Sequence, residues 1–223
     1  MYMIIAIDGP AGSGKSTVSK AVAKRLGILY VDTGAMYRAL TLKAIRKGCG
    51  FEDEKALIDL SAETEINLQA SGDTLKVFLD GEDVGAQIRT AELTNVVRYI
   101  ARVPGVRSRM AELQRSVCAE SDAVLEGRDI GTIVFPNAEF KFYLDADPKE
   151  RANRRLKDLM ATGHKMTLEE VEKAVKIRDK GDMTRQAGPL RCAEDAIVID
   201  TTRLTAEEVA EKVLKTIHEA KKS

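Results

Sequence analysis

Short runs of consecutive apolar residues alternate along the chain with segments whose apolar positions recur every three or four residues. The runs predict strands that are buried on both faces of a sheet. They cover 3–8, 28–32, 123–126, 139–144 and 196–200. Spacings such as that of Val18, Ala21 and Val22 predict the helices between them. This alternation indicates an α/β fold with a doubly wound parallel sheet of about five strands.

Three helix starts carry capping chemistry. Thr167 and Thr205 are each followed three residues later by a glutamate, the pattern of a capping box. Asp147-Pro148 places an N-cap residue before a proline in the first helical turn. The sequence therefore predicts helices that begin near 148, 168 and 206.

One region interrupts the pattern. Residues 64–70 and 74–80 alternate between apolar and polar positions around the turn residues Ser71-Gly72-Asp73, and a third extended piece is expected near 84–88. This predicts an antiparallel meander inserted in the parallel-sheet domain, with Pro104 opening the helix that returns to the core. The predicted units are a core of 1–60 plus 104–223 and an insert of 61–103.

Composition narrows the class of protein. The 223 residues are 44 % apolar, and 35 basic residues balance 35 acidic ones. Such a chain is globular, and it lacks the charge excess expected of a nucleic-acid or membrane-surface protein. Five arginines and one acidic residue between Arg98 and Arg115 favour a small anionic ligand instead. Three scattered cysteines and the lack of a long apolar run lead us to expect a cytoplasmic protein.

One motif identifies the anion. The pattern G-x-x-x-x-G-K-[ST] follows the first predicted strand and opens a helix, as a phosphate-binding loop (P-loop) does. Its glycines allow a tight turn whose N–H groups surround phosphates, while the lysine contacts the β- and γ-phosphates and the serine binds Mg²⁺. The expected ATP-binding residues are Gly9, Pro10, Ala11, Gly12, Ser13, Gly14, Lys15, Ser16 and Thr17, with Ser16 as the metal ligand.

Missing motifs argue against two classes of protein that would use the triphosphate differently. The chain contains neither the N/T-K-x-D motif that reads guanine in GTPases nor the LSGGQ signature of transporter ATPases. A small kinase remains, in which an acceptor site faces the P-loop. Two further clusters, Asp32–Arg38 and Glu126–Thr132, follow predicted strands and therefore lie at the ligand-binding edge of the sheet. Arg178, Asp182 and Arg185 share one helix face.

These motifs together resemble the bacterial cytidylate kinase family of P-loop nucleoside monophosphate kinases, and the likeness runs nearly end to end. It includes Ile7-Asp8-Gly9-Pro10, Asp32-Thr33-Gly34-Ala35-Met36-Tyr37-Arg38, Pro104-Gly105-Val106-Arg107 and Glu126-Gly127-Arg128-Asp129. The resemblance implies transfer of the γ-phosphoryl group of ATP to CMP or dCMP. It also implies that the insert binds the monophosphate and that a short helical lid covers about 148–166.

The resemblance assigns roles residue by residue. Thr33, Arg107 and Asp129 would surround the cytosine, and a carboxylate suits the amino group that uracil lacks. Arg38 and Arg128 would hold the acceptor phosphate, and Arg185 would lie near the base or the phosphate. Arg178 and Asp182 would contact the sugar hydroxyls. Lys15, Arg38, Arg128 and either Arg154 or Arg155 of the lid are the expected catalytic cations.

The chain departs from the family at Arg98, where a small hydroxyl residue is usual, and Arg98 is left out of the expected site. Two alternatives stay open. One is another small P-loop kinase that acts on UMP, AMP or shikimate. The other is a nucleotide-binding module without turnover, which the presence of Lys15 and Ser16 disfavours. We expect a monomer without nucleic-acid or membrane partners.

Overall fold

The computed structural model describes residues 2–71, 74–161, 163 and 165–222. Its central sheet has five parallel strands in the order β2-β6-β1-β7-β8. Their bounds are Ile4–Asp8 (β1), Leu29–Asp32 (β2), Ala123–Gly127 (β6), Phe140–Asp145 (β7) and Ile197–Asp200 (β8). All five strands were predicted, and the doubly wound α/β fold is confirmed.

Among the described residues, eight helices accompany the sheet. They are Lys15–Leu26 (α1), Thr33–Arg46 (α2), Glu54–Ala62 (α3), Ala91–Ala101 (α4), Pro104–Val117 (α5), Pro148–Ala161 (α6), Leu168–Thr184 (α7) and Ala206–Ala220 (α8). Thr167 and Thr205 form the two expected capping boxes at the starts of α7 and α8. Asp147 accepts hydrogen bonds from the backbone N–H groups of Lys149 and Glu150, which confirms the start of α6.

The two faces of β1 show why its apolar run is continuous. Ile4 and Ala6 belong to the hydrophobic cluster that also contains α2 and α5. Ile5 and Ile7 point the other way, into the cluster formed with α1 and α8. Because successive side chains alternate across a strand, both faces of a covered sheet demand apolar residues.

The antiparallel meander is also present. Its strands are Ile66–Ser71 (β3), Thr74–Leu79 (β4) and Glu82–Asp83 (β5). Gly72 and Asp73 of the predicted turn lie outside the described residues. The expected third extended piece at 84–88 was wrong. The third strand comes earlier, and Gln87–Arg89 form a 3-10 turn that places Ile88 in the core.

The meander packs directly onto the core rather than standing apart. Ile66, Val77 and Leu79 are buried in the same cluster as Met36 and Leu40 of α2. Burial of one apolar face explains the alternating pattern that predicted these strands. The bounds 61–103 for the insert as a separate unit stay a prediction.

Candidate active site

The P-loop occupies the turn between β1 and α1, beside the point where the strand order reverses. Gly9, Gly12 and Gly14 all have positive φ angles, of 149°, 78° and 90°. A Cβ atom on Gly9 would lie 2.1 Å from the carbonyl oxygen of Leu144, so only glycine fits there. The N-cap of α1 is Gly14, and no side chain of the described residues caps this helix. Its first N–H groups are therefore suited to an anion.

Lys15 is buried within this loop. Its Nζ atom donates to the carbonyl oxygen of Pro10 at 2.6 Å and to Oγ of Ser13 at 3.3 Å. Burial, followed by the positive charge of Arg128, lowers the pKa of Lys15 well below its usual value. A phosphate group in the loop would reverse this effect, because an adjacent anion favours the charged ammonium form.

Glu126, at the end of β6, faces the start of α1. Its Oε2 atom accepts a hydrogen bond from Oγ of Ser16 at 2.8 Å, and its Oε1 atom accepts one from the hydroxyl of Tyr30. Burial, with the nearby charge of Asp32, raises the pKa of Glu126. A hydroxyl and a carboxylate are the hard oxygen donors that Mg²⁺ prefers, so the residues present fit this metal. Glu126 belongs to the predicted cluster Glu126–Thr132 but was not among the expected site residues.

Asp8 connects the two sides of the site. Its carboxylate accepts hydrogen bonds from the backbone N–H groups of Ile130, at 2.9 Å, and Gly131, at 2.8 Å. These bonds hold a π-helical turn over Ile130–Val134, directly after Asp129. Burial raises the pKa of Asp8 to about 6, although both hydrogen bonds oppose that shift. Asp8 thus positions the segment that carries the predicted acceptor residues.

Those acceptor residues come together from three elements. Nε of Arg128, the residue after β6, donates to Oδ2 of Asp182 on α7 at 2.8 Å, and Nη1 of Arg185 donates to Oδ1 of the same carboxylate at 3.2 Å. Arg107 of α5 and Asp129 form a buried ion pair. Nη2 of Arg185 lies 3.9 Å from Oδ1 of Asp129. The structure therefore joins the two pairs through Arg185.

Electrostatic interactions link this cluster to Lys15 of the P-loop. The positive charges of Arg128 and Arg178 both lower the pKa of Lys15. Burial, then the charge of Arg128, lowers the pKa of Arg178 to about 10, and Arg155 and Arg38 act in the same direction. Burial opposes ionisation of Asp182, but the neighbouring guanidinium groups outweigh it and hold its pKa below the usual value. Like charges are thus concentrated where an anion would bind.

The second acceptor element begins at the end of β2. Arg38 forms an ion pair with Asp32, with Nη2 and Oδ2 3.0 Å apart. Thr33 is buried, and its hydroxyl donates to the carbonyl oxygen of Glu126 at 2.7 Å. Thr33 therefore connects α2 to β6. Arg98 is exposed, and its described contacts are with Tyr99, through a hydrogen bond of 3.0 Å to the ring hydroxyl and through the ring face.

The two candidate lid arginines differ in their surroundings. Arg154 donates to Glu150 at 2.9 Å and to the backbone oxygen of Thr201 at 2.6 Å. Oγ1 of Thr201 in turn donates to the carbonyl oxygen of Ser13 in the P-loop at 3.1 Å. Arg155 lies instead within electrostatic range of Arg178. Thr201, which follows the carboxyl end of β8, had no motif that could have revealed it.

Comparison with known proteins identifies the family. The family model described as cytidylate kinase matches residues 5–219. The chain belongs to the cytidylate kinase family. It is 49 % identical over 211 residues to a cytidylate kinase of Pelotomaculum thermopropionicum, covering 94 % of this chain and 93 % of that protein. It is 48 % identical to a cytidylate kinase of Desulforamulus reducens, covering 99 % of each chain.

Membership of the cytidylate kinase family confirms the resemblance and identifies the chain as an ATP-dependent kinase. The fold is shared more widely. A solved structure of an uncharacterized protein from Eubacterium ventriosum superposes with a TM-score of 0.54 at 14 % identity, covering 97 % of this chain and 98 % of that one. No helix in the described part of the chain combines the length and the apolarity needed to cross a bilayer.

Proposed function

We propose that this enzyme transfers the γ-phosphoryl group of ATP to CMP or dCMP, yielding ADP and CDP or dCDP. The observation that carries the proposal is the concentration of positive charge beside the P-loop, where the charge of Arg128 lowers the pKa of both Lys15 and Arg178. Two nucleotides that meet end to end bring negative charges into that space. Lys15, whose described hydrogen bonds go to uncharged oxygen atoms, then gains an anionic partner.

The reaction needs alignment and charge neutralisation more than proton transfer. A monophosphate oxygen is already anionic near neutral pH, so no strong base is required. Lys15 contacts the β- and γ-phosphates of ATP, and Arg38 and Arg128 hold the acceptor phosphate in line with them. Ser16 and Glu126 would hold Mg²⁺, which would neutralise charge on the triphosphate.

The base is read on the other side of the acceptor cluster. Asp129 accepts a hydrogen bond from the cytosine amino group, while Arg107 and Thr33 complete the pocket. Arg178 and Asp182 contact the sugar, and Arg185 lies between base and phosphate. This proposal is supported by the chain of ion pairs from Arg128 through Asp182 and Arg185 to Asp129.

The two lid arginines have different roles in this proposal, one toward the donor nucleotide and one toward the transferred phosphoryl group. Arg155 stabilises the phosphoryl group in transit, since its charge already acts on Arg178 in the acceptor cluster. Arg154 supports the donor nucleotide, since it lies beside Thr201 and the P-loop. We expect Arg155→Ala to lower kcat by about 10²-fold or more with little change in the KM for ATP. We expect Arg154→Ala to raise mainly the KM for ATP, and the reverse result would exchange the two roles.

The decisive experiment measures ADP release with CMP, dCMP, UMP and AMP in turn. We expect the highest kcat/KM with CMP or dCMP. A preference for AMP or UMP would assign the enzyme to another acceptor, and ADP release without any acceptor would indicate hydrolysis.

We also propose that the enzyme is a monomer that acts in the cytoplasm. Light scattering of the purified protein at assay concentration tests the first of these two points.

A further inference from the structure

A buried ion pair outside the residues so far given a role touches the P-loop. Arg151 lies in the first turn of α6 and Asp179 lies near the end of α7, and their side chains form an ion pair. Both residues are buried, with 5 % and 7 % of their surfaces exposed. Neither contacts the acceptor cluster through a described hydrogen bond. The pair joins α6, which lies within the predicted lid, to α7, which follows the lid.

Both residues of the pair form hydrogen bonds with the backbone of Ala11 in the P-loop. Nη1 of Arg151 donates to the carbonyl oxygen of Ala11 at 3.0 Å. The backbone N–H of Ala11 donates to Oδ1 of Asp179 at 3.3 Å. Arg151 is itself fixed by a hydrogen bond of 3.0 Å from Nε to the carbonyl oxygen of Ala146. Both polar backbone groups of Ala11 are thus satisfied by side chains more than 130 residues away in the sequence.

The adjacent loop residue shows how close this contact is. A Cβ atom on Gly12 would lie 2.7 Å from the backbone oxygen of Arg151 and 3.1 Å from its Cβ atom. The loop backbone therefore rests on the first turn of α6. α6 is in turn packed on α7 through the apolar cluster of Ala152, Leu159, Val171 and Val175. The side of the loop that faces these helices is fixed, which leaves the other side for phosphate.

Stability alone does not explain an ion pair in this position. Removing two charges from water costs several kcal/mol per ion, and apolar residues of similar volume often serve stability equally well. An apolar pair, however, cannot accept a hydrogen bond from the N–H of Ala11 or donate one to its carbonyl oxygen. A loop that keeps its N–H groups free for phosphate needs an external partner for its remaining backbone groups. Arg151 and Asp179 supply it.

We infer that Arg151 and Asp179 are positioning residues for the donor nucleotide, which hold the P-loop through Ala11 in the shape that receives phosphate. The inference rests on the proposed donor site. It does not depend on the identity of the acceptor. Because Arg151 is engaged with Ala11, Ala146 and Asp179, it is not the arginine that follows the transferred phosphoryl group.

The test replaces the pair without leaving an unpaired charge. Arg151→Met combined with Asp179→Leu preserves volume and removes both ions. Calorimetric titration then gives the Kd of ADP and the Kd of CMP separately, without turnover. We expect the Kd of ADP to rise about tenfold or more and that of CMP to change less than threefold. We expect kcat with ATP and CMP to fall as well in the double variant. The single variant Arg151→Lys, which keeps a positive charge beside Asp179, should retain most of the wild-type affinity for ADP.

Lys43→Met provides a matched control. Lys43 is also a buried cation that donates to a backbone carbonyl, that of Glu63, and pairs with a carboxylate, that of Asp80, but it lies away from the P-loop. Its loss should leave the Kd of ADP unchanged. A folded double variant that binds ADP like the wild type, or that loses ADP and CMP affinity equally, would overturn the inference.

If the double variant does not fold, Asp179→Asn serves instead. It keeps an oxygen that can accept from Ala11 but weakens the pair with Arg151. We expect a smaller rise in the Kd of ADP, about threefold to tenfold, with an unchanged Kd for CMP. An unchanged Kd for ADP in a folded Asp179→Asn protein would contradict the inference. A wild-type protein that binds ADP normally but does not phosphorylate CMP would refute the proposed function alone.

Discussion

The donor side and the acceptor side of this site are built in opposite ways. The P-loop is a contiguous segment, Gly9–Ser16, between one strand and one helix. The acceptor cluster draws Arg38 from α2 and Arg107 from α5, together with Arg128 just after β6 and Arg185 just after α7. The first can be recognised from a short motif, because its geometry is local. The second exists only when several distant elements are packed correctly.

The two sides also differ in how their cations are satisfied before substrate arrives. The hydrogen bonds of Lys15 go to uncharged oxygen atoms of its own loop. Arg128, Arg107 and Arg38 are each paired with a carboxylate. A phosphate that reaches Lys15 replaces neutral partners, whereas one that reaches Arg128 competes with Asp182. We therefore expect substitutions on the donor side to affect catalysis most and those on the acceptor side to affect specificity.

The largest effect should come from Lys15→Ala. Loss of the ammonium group removes charge stabilisation at the transferring phosphoryl group, so kcat should fall by about 10²–10³-fold. Thermal unfolding should change little, since burial already disfavours the charged form of Lys15. Lys55, an exposed lysine in the first turn of α3, is a matched control, and Lys55→Ala should leave kcat unchanged. A near-normal rate for Lys15→Ala would exclude Lys15 from the chemistry.

Asp8, which lies between the two sides, should give the site a pH-dependent stability. Its pKa is raised from 3.8 to about 6, so the native state holds this proton more tightly than the unfolded chain does. The contribution of Asp8 to the unfolding free energy therefore falls as pH rises through this window, by up to about 3 kcal/mol. Urea unfolding of the wild type and of Asp8→Asn from about pH 4 to pH 7 isolates the contribution of Asp8 to the unfolding free energy. The stability of the wild type relative to the variant should decline with pH, and a constant difference would contradict the raised pKa.

Asp182→Ala tests the acceptor side. The carboxylate orients Arg128 and Arg185 and is proposed to contact the sugar. We expect the KM for CMP to rise about 10–100-fold, in line with the cost of losing a charged hydrogen-bonding group, while the KM for ATP changes about twofold or less. Glu112→Ala, which removes an exposed carboxylate paired with Arg109, should change neither constant. Equal losses for both nucleotides would argue against a contact specific to the acceptor.

Asp129→Asn should have the smallest effect and the most selective one. An amide accepts less strongly than a carboxylate from the cytosine amino group, so the CMP/UMP ratio of kcat/KM should fall about tenfold. Asp195→Asn is the control, because Asp195 is an exposed partner of Lys141 outside the cluster. A ratio that is unchanged in Asp129→Asn would remove Asp129 from base recognition.

The same contrast determines what could be predicted from sequence. The five core strands, the P-loop and both capping boxes were predictable, because hydrophobic period and local hydrogen bonding specify them within a few residues. The clustering of Arg128, Asp182 and Arg185 was expected from a family resemblance, since no spacing rule connects residues 54 positions apart. The roles of the site residues remain proposals.

Contacts between residues that are distant in the sequence could not be recognised from a local sequence motif. Glu126 was not among the expected site residues, yet its side chain accepts a hydrogen bond from the hydroxyl of Ser16. Arg151 and Asp179 resemble ordinary helix-surface charges in sequence, and only the packing of α6 and α7 against the loop shows them to be buried. A buried ion pair between distant helices has no period and no motif, so it becomes visible only in three dimensions.

The shared hydrophobic cluster beneath the meander has a mechanical consequence. Val77 and Leu79 pack in the same apolar layer as Met36 and Leu40 of α2, and close-packed layers do not separate without opening voids. The three-stranded sheet therefore cannot swing like a free flap. Any displacement toward a bound nucleotide must take α2 with it, and α2 carries Arg38 on its first two turns. The position of the meander is thus coupled to that of Arg38, whose guanidinium is proposed to bind the acceptor phosphate.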